Sequence, residues 1–536
     1  MHRSVTPSIP PSDGPASPGR RQSDAQFARP RQKAQAHAPW VRYYLSMPRL
    51  TPTPRRAGHG RQPAGKPAPY RLAFDRGSLR LEASRATRVP DYFVWDERVH
   101  GWRTEALNHP RFREDAAAYR LQLQDEAERF FGCPPLKPNL PPLRPDQEAA
   151  VAAWERAGCR GVIVKPTGTG KTEIALTIIA RHRVSALIVA PLRDLMYQWQ
   201  RRIRQGLGFD AGVLGDGRRE VWPITVTTYD SAWIHMKEIG NRYRLIVYDE
   251  AHHLPAPSLH ESALDSLAPM RLGLTATPGR IDGRDRMLAE LIGPVVYQEG
   301  ISEAKGKTLA DYSVIRVPIY LTDQEQAEFD ELSRKIRAYV ARRRREEGGF
   351  DWREDLAKLS RTDPEAKEIL RGYRRKLALI HRSAEKLRVV EDILRLHPDE
   401  PCVIFTASNR MALDVSARFL IPALTHHSHK RERNLVLDAF ARGTIRALAA
   451  CEVLNEGWDA PAVKVGVVLG GEKGVREAVQ RLGRLLRRSG ERAARLYEVV
   501  VQESPEVIRA RQRTRTDAYK AATRLSLGQS KQLDLF

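Results

Sequence analysis

The segment Val164-Lys165-Pro166-Thr167-Gly168-Thr169-Gly170-Lys171-Thr172 has the residue types that hold a polyphosphate. Gly168 and Gly170 let backbone N–H groups close around phosphate oxygens where a strand gives way to a helix. Thr167 and Thr169 complete the loop. Lys171 is expected to reach the β- and γ-phosphates of ATP, and Thr172 to ligate Mg2+. The first glycine of the G-x4-G-K-[ST] pattern is replaced by Lys165. Further on, the strand-like run Leu245-Ile246-Val247-Tyr248 ends in Asp249-Glu250-Ala251-His252. That order puts two carboxylates at the carboxyl edge of a sheet. Asp249 is expected to hold Mg2+ through water, and Glu250 to orient and deprotonate an attacking water.

Other residues complete the pattern. Gln147, in Leu143-Arg144-Pro145-Asp146-Gln147, is a candidate for reading adenine through its amide, with Arg144 beside it. Gln480-x-x-Gly483-Arg484-x-x-Arg487 places Arg484 and Arg487 three apart, on one face of a helix. Either could act as an arginine finger on the γ-phosphate, with Gln480 on the same nucleotide. His252, Thr275 and Thr277, the threonines of Thr275-Ala276-Thr277-Pro278, are expected to couple hydrolysis to a bound strand. Gly457 and Asp459, in Asn455-Glu456-Gly457-Trp458-Asp459-Ala460-Pro461, join the nucleotide set in the same role. Candidate DNA contacts are Arg193, Thr228 and Thr406, in the loops Pro191-Leu192-Arg193, Thr227-Thr228-Tyr229 and Thr406-Ala407-Ser408 that follow expected strands. Four motifs in this order describe a nucleic-acid-dependent ATPase of two lobes. ATP bridging the lobes and its hydrolysis would close and reopen the cleft.

The elements that must position these residues can also be read. From about 145 to 300, short apolar strands such as 161–164, 186–190 and 245–248 alternate with helical patterns. This predicts an α/β fold with a parallel sheet covered on both faces. Strand–helix alternation resumes at 401 with 403–406, 445–450 and 463–469, giving a second α/β lobe. Between them, residues 321–396 are highly charged and helical. Upstream, Tyr70 to Leu81 alternates around Asp75-Arg76-Gly77 as a β-hairpin would. Tyr92 to Arg98 reads as a strand and 113–130 contains a helix. The expected division is a disordered basic arm over 1–67, a small α/β module over 68–135 and a first RecA-like domain over 136–305. A linker with a helical insertion (306–390), a second RecA-like domain (391–503) and a C-terminal helix with tail (504–536) follow.

Charge agrees with a polyanion partner. Lys plus Arg number 89 against 65 Asp plus Glu, a net +24. Each cation placed on a phosphate releases counterions. A solvated basic surface would give the same count. Residues 1–67 hold 12 of the 36 prolines, with 12 basic and 2 acidic side chains. Such a stretch cannot bury enough apolar area to offset its ordering entropy. Met47 inside it is an alternative start. The four cysteines, Cys133, Cys159, Cys402 and Cys451, form no C-x2-C pair and read as buried thiols of a reducing cytosol. No secretory leader and no membrane span are expected, which suits a cytoplasmic, nucleoid-associated protein.

On these residues the chain resembles superfamily 2 helicases, and more narrowly the xeroderma pigmentosum group B (XPB) family, over about 69–500. The 69–130 module, with Trp95-Asp96-x-Arg98, is similar to that family's damage-recognition domain. The charged helices near 321–385 sit where the family carries a DNA-gripping thumb. The resemblance implies an ATP-driven 3'-to-5' helicase or translocase on single-stranded or forked DNA, in repair or transcription. The family's Arg-Glu-Asp element reads Arg280-Ile281-Asp282 here. The Glu456-Gly457-Trp458-Asp459 wording also resembles restriction translocase subunits, leaving a duplex translocase of a defence system as the alternative. An ATP-switched DNA-binding scaffold is a third reading.

The chain ends Gln532-Leu533-Asp534-Leu535-Phe536. This resembles the bacterial sliding-clamp-binding pentapeptide, with Leu533, Leu535 and Phe536 as apolar anchors and Gln532 as a polar reader. His426, His427 and His429 read as a solvated turn, and His253 as interlobe packing. The aromatics of 92–102 read as core or as base-stacking surface.

Overall fold

The computed structural model describes residues 70–276, 286–304, 311–347, 351–451, 463–470, 493–513 and 523–526. Three sheets organise them.

The first sheet is built by β1 (Tyr70–Asp75), β2 (Ser78–Glu82), β3 (Val94–Asp96), β4 (Gly101–Glu105) and β5 (Leu123–Asp125), in the order β3-β4-β2-β1-β5. β1 and β2 form the hairpin read around Asp75-Arg76-Gly77, with Asp75 opposite Ser78. The helix expected near 113–130 is shorter and earlier: α1 runs His109–Ala118. Pro110 suits its first turn, and Arg120 turns to φ +54, which ends it. Leu123 to Asp125 then returns as β5, parallel to β1. Phe93 and Phe112 are buried in this module, with ring centroids 4.6 Å apart. Trp95 and Trp102 meet edge to face, half-buried.

The second sheet holds β6 (Arg160–Val164), β7 (Ala186–Ala190), β8 (Gly212–Gly215), β9 (Arg218–Arg219), β10 (Ile224–Thr228), β11 (Leu245–Asp249), β12 (Met270–Thr275) and β13 (Val295–Gln298). Their order is β13-β6-β12-β11-β7-β10-β8-β9, parallel except for the β8–β9 hairpin. Alternation sorts the strand residues to two faces. Ile163, Ile188 and Val247 pack under α2 (Pro145–Arg156), α3 (Lys171–His182) and α4 (Arg193–Leu207). Val162, Leu187 and Ile246 pack under α5 (Tyr229–Ile239), α6 (Glu261–Leu264) and α7 (Arg286–Leu291). Both faces being covered explains why the strands read as continuous apolar runs. Arg271 is fully buried in β12, its guanidinium satisfied by the carbonyls of Ala263, Ser266, Ala268 and Leu291.

After α8 (Ile301–Ala304) comes the third sheet: β14 (Tyr312–Ile319), β15 (Cys402–Thr406), β16 (Ala423–Leu424), β17 (Ala447–Cys451), β18 (Val465–Val468), β19 (Ala494–Val501) and β20 (Thr523–Ser526). It is parallel throughout, in the order β16-β17-β15-β18-β19-β14-β20. Thus β14, within the span 306–390 expected to be linker and insertion, is a strand of the second lobe. β20, from the expected tail, lies beside it. The insertion itself is α9 (Asp323–Glu347), α10 (Trp352–Leu359) and α11 (Pro364–His381). α12 (Ala384–Leu396), α13 (Asn409–Phe419), α14 (Lys430–Ala441) and α15 (Pro505–Arg513) complete the lobe. Cys402 and Cys451 are buried, Cys159 is half-buried and Cys133 is exposed, so buried thiols are found at two of the four positions. Cys133 lies in the proline-rich 131–144 stretch, which runs along the surface.

Candidate active site

Three strands bring the motifs together. β6 ends at Val164, β12 at Thr275 and β11 at Asp249, with β12 between the other two. Thr275 pairs with Val164, and Leu274 with Asp249. The loop after β6 and the DEAH segment therefore open on one edge, where α3 also presents its N-terminus. Gly168 and Gly170 adopt φ +84 and +80. A Cβ on Gly170 would lie 2.2 Å from Gln147 Nε2, so this position needs glycine on two grounds.

Lys171 Nζ donates to Lys165 O at 3.2 Å and stands 3.9 Å from Glu250 Oε1. Asp249 is buried. Trp199 Nε1 donates to its Oδ2 at 2.8 Å, and the Glu250 N–H to its Oδ1 at 3.1 Å. Burial first, then the adjacent Glu250 carboxylate, pushes the Asp249 carboxyl up to about 6. Glu250 itself sits at φ +48, a strained backbone conformation for this residue. Glu250 Oε2 and Thr167 Oγ1 are buried with no hydrogen-bond partner. Two carboxylates, an ammonium, a glycine loop at a helix N-terminus and the unpartnered Thr167 hydroxyl fit a nucleoside triphosphate with its divalent cation.

His252 is buried, and its Nδ1 lies 3.0 Å from Thr275 Oγ1. Thr275 O accepts from Lys165 N at 3.0 Å. One threonine therefore touches the DEAH segment with its side chain and the phosphate loop with its backbone. Tyr229 OH donates to Asp249 O at 3.0 Å. The His253 ring packs on His252 and Tyr229 of the first lobe. The reason is its place in the 3-10 turn Ala251–His253, under the start of α5.

Gln147 is buried, and its amide holds the loop. Nε2 donates to Gly170 O at 3.1 Å and Thr169 O at 3.5 Å, while Oε1 accepts from Arg144 N at 3.0 Å. Arg144 Nη2 reaches Thr169 O at 2.5 Å. The candidate DNA contacts separate. Arg193 is exposed at the start of α4, paired with Asp216 at 2.8 Å. Thr228 caps α5, its Oγ1 accepting from Ser231 N at 3.3 Å. Thr406 is buried and donates to Ser408 O at 3.1 Å, so its side chain braces its own loop. Thr277, Gly457, Asp459, Gln480, Arg484, Arg487, Arg280-Ile281-Asp282 and the tail residues Gln532, Leu533, Leu535 and Phe536 lie outside the described residues.

Trp199 went unread in the sequence as a site residue. Trp199 follows Met196 and precedes Ile203 on one helix face, the signature of core packing. Nothing in that spacing announces a carboxylate partner. His426 shares a 2.8 Å hydrogen bond with Asn409 in the turn before α14, as a solvated turn allows. Among the described residues, His109, Asp125 and Glu128 come within ligand reach of one another. Arg113 already fills that cluster, 2.8 Å from Glu128.

A phosphate loop and paired carboxylates on one parallel sheet, followed by a second parallel sheet, define a two-lobed P-loop NTPase. Residues 140–280 match the family model "Type III restriction enzyme, res subunit", and 385–489 the "Helicase conserved C-terminal domain". Residues 72–127 match the "Xeroderma pigmentosum group B helicase damage recognition domain". The chain is 35% identical over 419 residues to the DNA 3'-5' translocase XPB2 of Sulfurisphaera tokodaii, covering 78% of this chain and 95% of that one. It is 31% identical to the DNA 3'-5' helicase XPB of Kineococcus radiotolerans and 29% to that of Mycobacterium tuberculosis. Each of these two matches covers 68% of this chain, and 60% and 62% of theirs. The chain belongs to the XPB family of superfamily 2 helicases and is an ATP-dependent enzyme. No helix among the described residues is long and apolar enough to cross a membrane.

Proposed function

We propose that this protein is a DNA-dependent ATPase that moves 3' to 5' along DNA and opens single-stranded or forked substrates during repair or transcription-linked processing. The observation that carries this is the meeting of Lys171, Asp249 and Glu250 on one sheet edge, in a chain matching nearly the whole length of a relative named a DNA 3'-5' translocase.

Lys171 and the N–H groups around Gly168, Thr169 and Gly170 bind the phosphates, with Arg144 and Gln147 fixing the loop from behind. Thr172 and Asp249 hold Mg2+, which offsets phosphate charge when bound. Glu250 orients the attacking water and takes its proton. Arg484 and Arg487 serve as fingers from the second lobe, with Gln480, Gly457 and Asp459 beside the nucleotide. His252, Thr275 and Thr277 pass hydrolysis on to the DNA-facing loops, where Arg193 and the Thr228 turn meet the backbone. The C-terminal Gln532, Leu533, Leu535 and Phe536 tether the enzyme to a bacterial sliding clamp, and it works at the nucleoid.

The test is steady-state ATPase without nucleic acid and with single-stranded DNA, forked DNA, duplex DNA and RNA, with Glu250→Gln as control. Stimulation by single-stranded or forked DNA that the variant loses supports the proposal. Stimulation by duplex alone replaces it with double-strand translocation, and none with any DNA overturns it. For the tail, deleting 532–536 should abolish clamp binding and spare ATPase activity. Unchanged clamp binding removes that part.

A further inference from the structure

Lys165 stands where the phosphate-loop pattern has its first glycine, and ATP binding leaves its side chain without a task. Lys165 is 0% exposed, enclosed behind the loop. Its Nζ donates to Asp146 Oδ2 at 2.9 Å and to Glu299 Oε2. The Tyr297 ring lies 5.3 Å away. Asp146 in turn accepts from Arg144 at 3.2 and 3.1 Å. Two cations and two carboxylates thus make a neutral cluster. The backbone of Lys165 is committed as well, to Thr275 O through its N–H and to Lys171 Nζ through its carbonyl.

Glu299 gives the cluster its interest. It follows β13 at the edge of the first lobe's sheet, and its N–H donates to Val164 O at 2.9 Å. After Gly300, Ile301 and Ala304 are already buried in the core of the second lobe, with Tyr312, Val403 and Phe405. The chain therefore leaves one core and enters the other across three residues, 299–301. Lys165 joins the first of them to the segment that opens the phosphate loop. Arg144 joins the same cluster to Thr169 inside that loop.

We infer that Lys165 is a positioning residue for the ATPase cycle: through Asp146 and Glu299 it ties the phosphate loop to the point where the chain crosses between lobes. A loop that shifts at Thr169 or Lys171 pulls on Arg144 and on the Lys165 carbonyl. The rigid charge cluster carries that shift to Glu299 and so to the crossing. Stabilisation alone is a poor account, because a well-packed apolar side chain serves a buried site as well as an ion pair does.

This inference rests on the DNA-dependent ATPase reading. The test uses the full chain, with and without single-stranded oligo-dT, reading turnover, fluorescent ATP-analogue affinity and thermal melting. Glu299→Gln should leave nucleotide affinity and DNA-free turnover within about two-fold. Its stimulation by DNA should fall at least about five-fold. Lys165→Met should lose the same stimulation and Lys165→Arg should keep most of it. A Glu299→Gln enzyme with wild-type stimulation overturns the inference, whether or not Lys165→Met folds. So does a proportional loss of affinity, basal turnover and stimulation, which would mark the cluster as structural support. A wild-type enzyme that oligo-dT does not stimulate removes the underlying reading, and the inference with it.

Discussion

The indole N–H of Trp199 donates to Oδ2 of Asp249 at 2.8 Å, and both side chains are buried. Asp249 closes β11, while Trp199 comes from the middle of α4, so a helix of the first lobe aims one carboxylate of the DEAH segment. A hydrogen bond to a charged group is worth about 1.5–3 kcal/mol. Trp199→Phe keeps most of the apolar packing and removes the donor. Turnover should fall on the order of ten-fold, and the Mg2+ concentration for half-maximal rate should rise. A Mg2+ titration of ATPase activity checks this, and an unchanged midpoint would assign Trp199 to the core alone.

Thr275 joins His252 through Oγ1 and Lys165 through its carbonyl. Thr275→Val preserves shape and the backbone bond but removes the hydroxyl that His252 Nδ1 meets at 3.0 Å. The cost in stability should be about 1 kcal/mol. The functional effect should fall on coupling, with strand displacement per ATP hydrolysed dropping several-fold. Parallel ATPase and strand-displacement measurements give that ratio. A constant ratio would place Thr275 in catalysis and not in transmission.

Much of this molecule was legible because its parallel strands are covered on both faces. Ala186–Ala190 and Leu245–Asp249 are wholly buried five-residue runs, and such runs stand out in sequence. Glycines at positive φ gave away the loop. Contacts between distant segments were not legible. Nothing local in Trp199 names Asp249, 50 positions on, and nothing in Lys165 names Glu299, 134 positions on. The strand β14 was hidden by context, since it precedes charged helices and pairs with β19 from far downstream.

Gln147 offers a sharper test of the loop. Its Nε2 donates to two loop carbonyls, those of Thr169 and Gly170. Gln147→Glu keeps the size and turns a donor into an acceptor facing acceptors. One carboxylate oxygen keeps the Arg144 N–H donor, but the other faces only carbonyls, which is costly in a buried site. ATP affinity should fall on the order of ten-fold, measured by titration with a fluorescent analogue. A loss confined to adenine nucleotides, sparing other bases, would instead favour direct adenine reading by this side chain.

Asp265 makes the first lobe's contact with the N-terminal module sensitive to pH. It lies at the apex of the β1–β2 hairpin, where a Cβ on Gly77 would come within 2.4 Å of its Cγ. Its Oδ2 is buried without a hydrogen-bond partner, and Lys237, Glu261 and Glu105 are the charged neighbours that act on it. Burial raises the carboxyl to about 8, against 3.8 for a free side chain. Between those values the folded protein keeps the proton and the unfolded chain releases it, so stability falls as pH rises through that window and levels off above it. Asp265→Asn removes the titration and keeps the shape. The variant should melt higher than wild type at pH 8–9, by an amount equivalent to roughly a few kcal/mol, with the difference shrinking toward pH 5. Melting curves of both proteins across this range check it. A difference that does not change with pH would mean that Asp265 titrates outside the window, and that burial beneath the hairpin does not govern its proton.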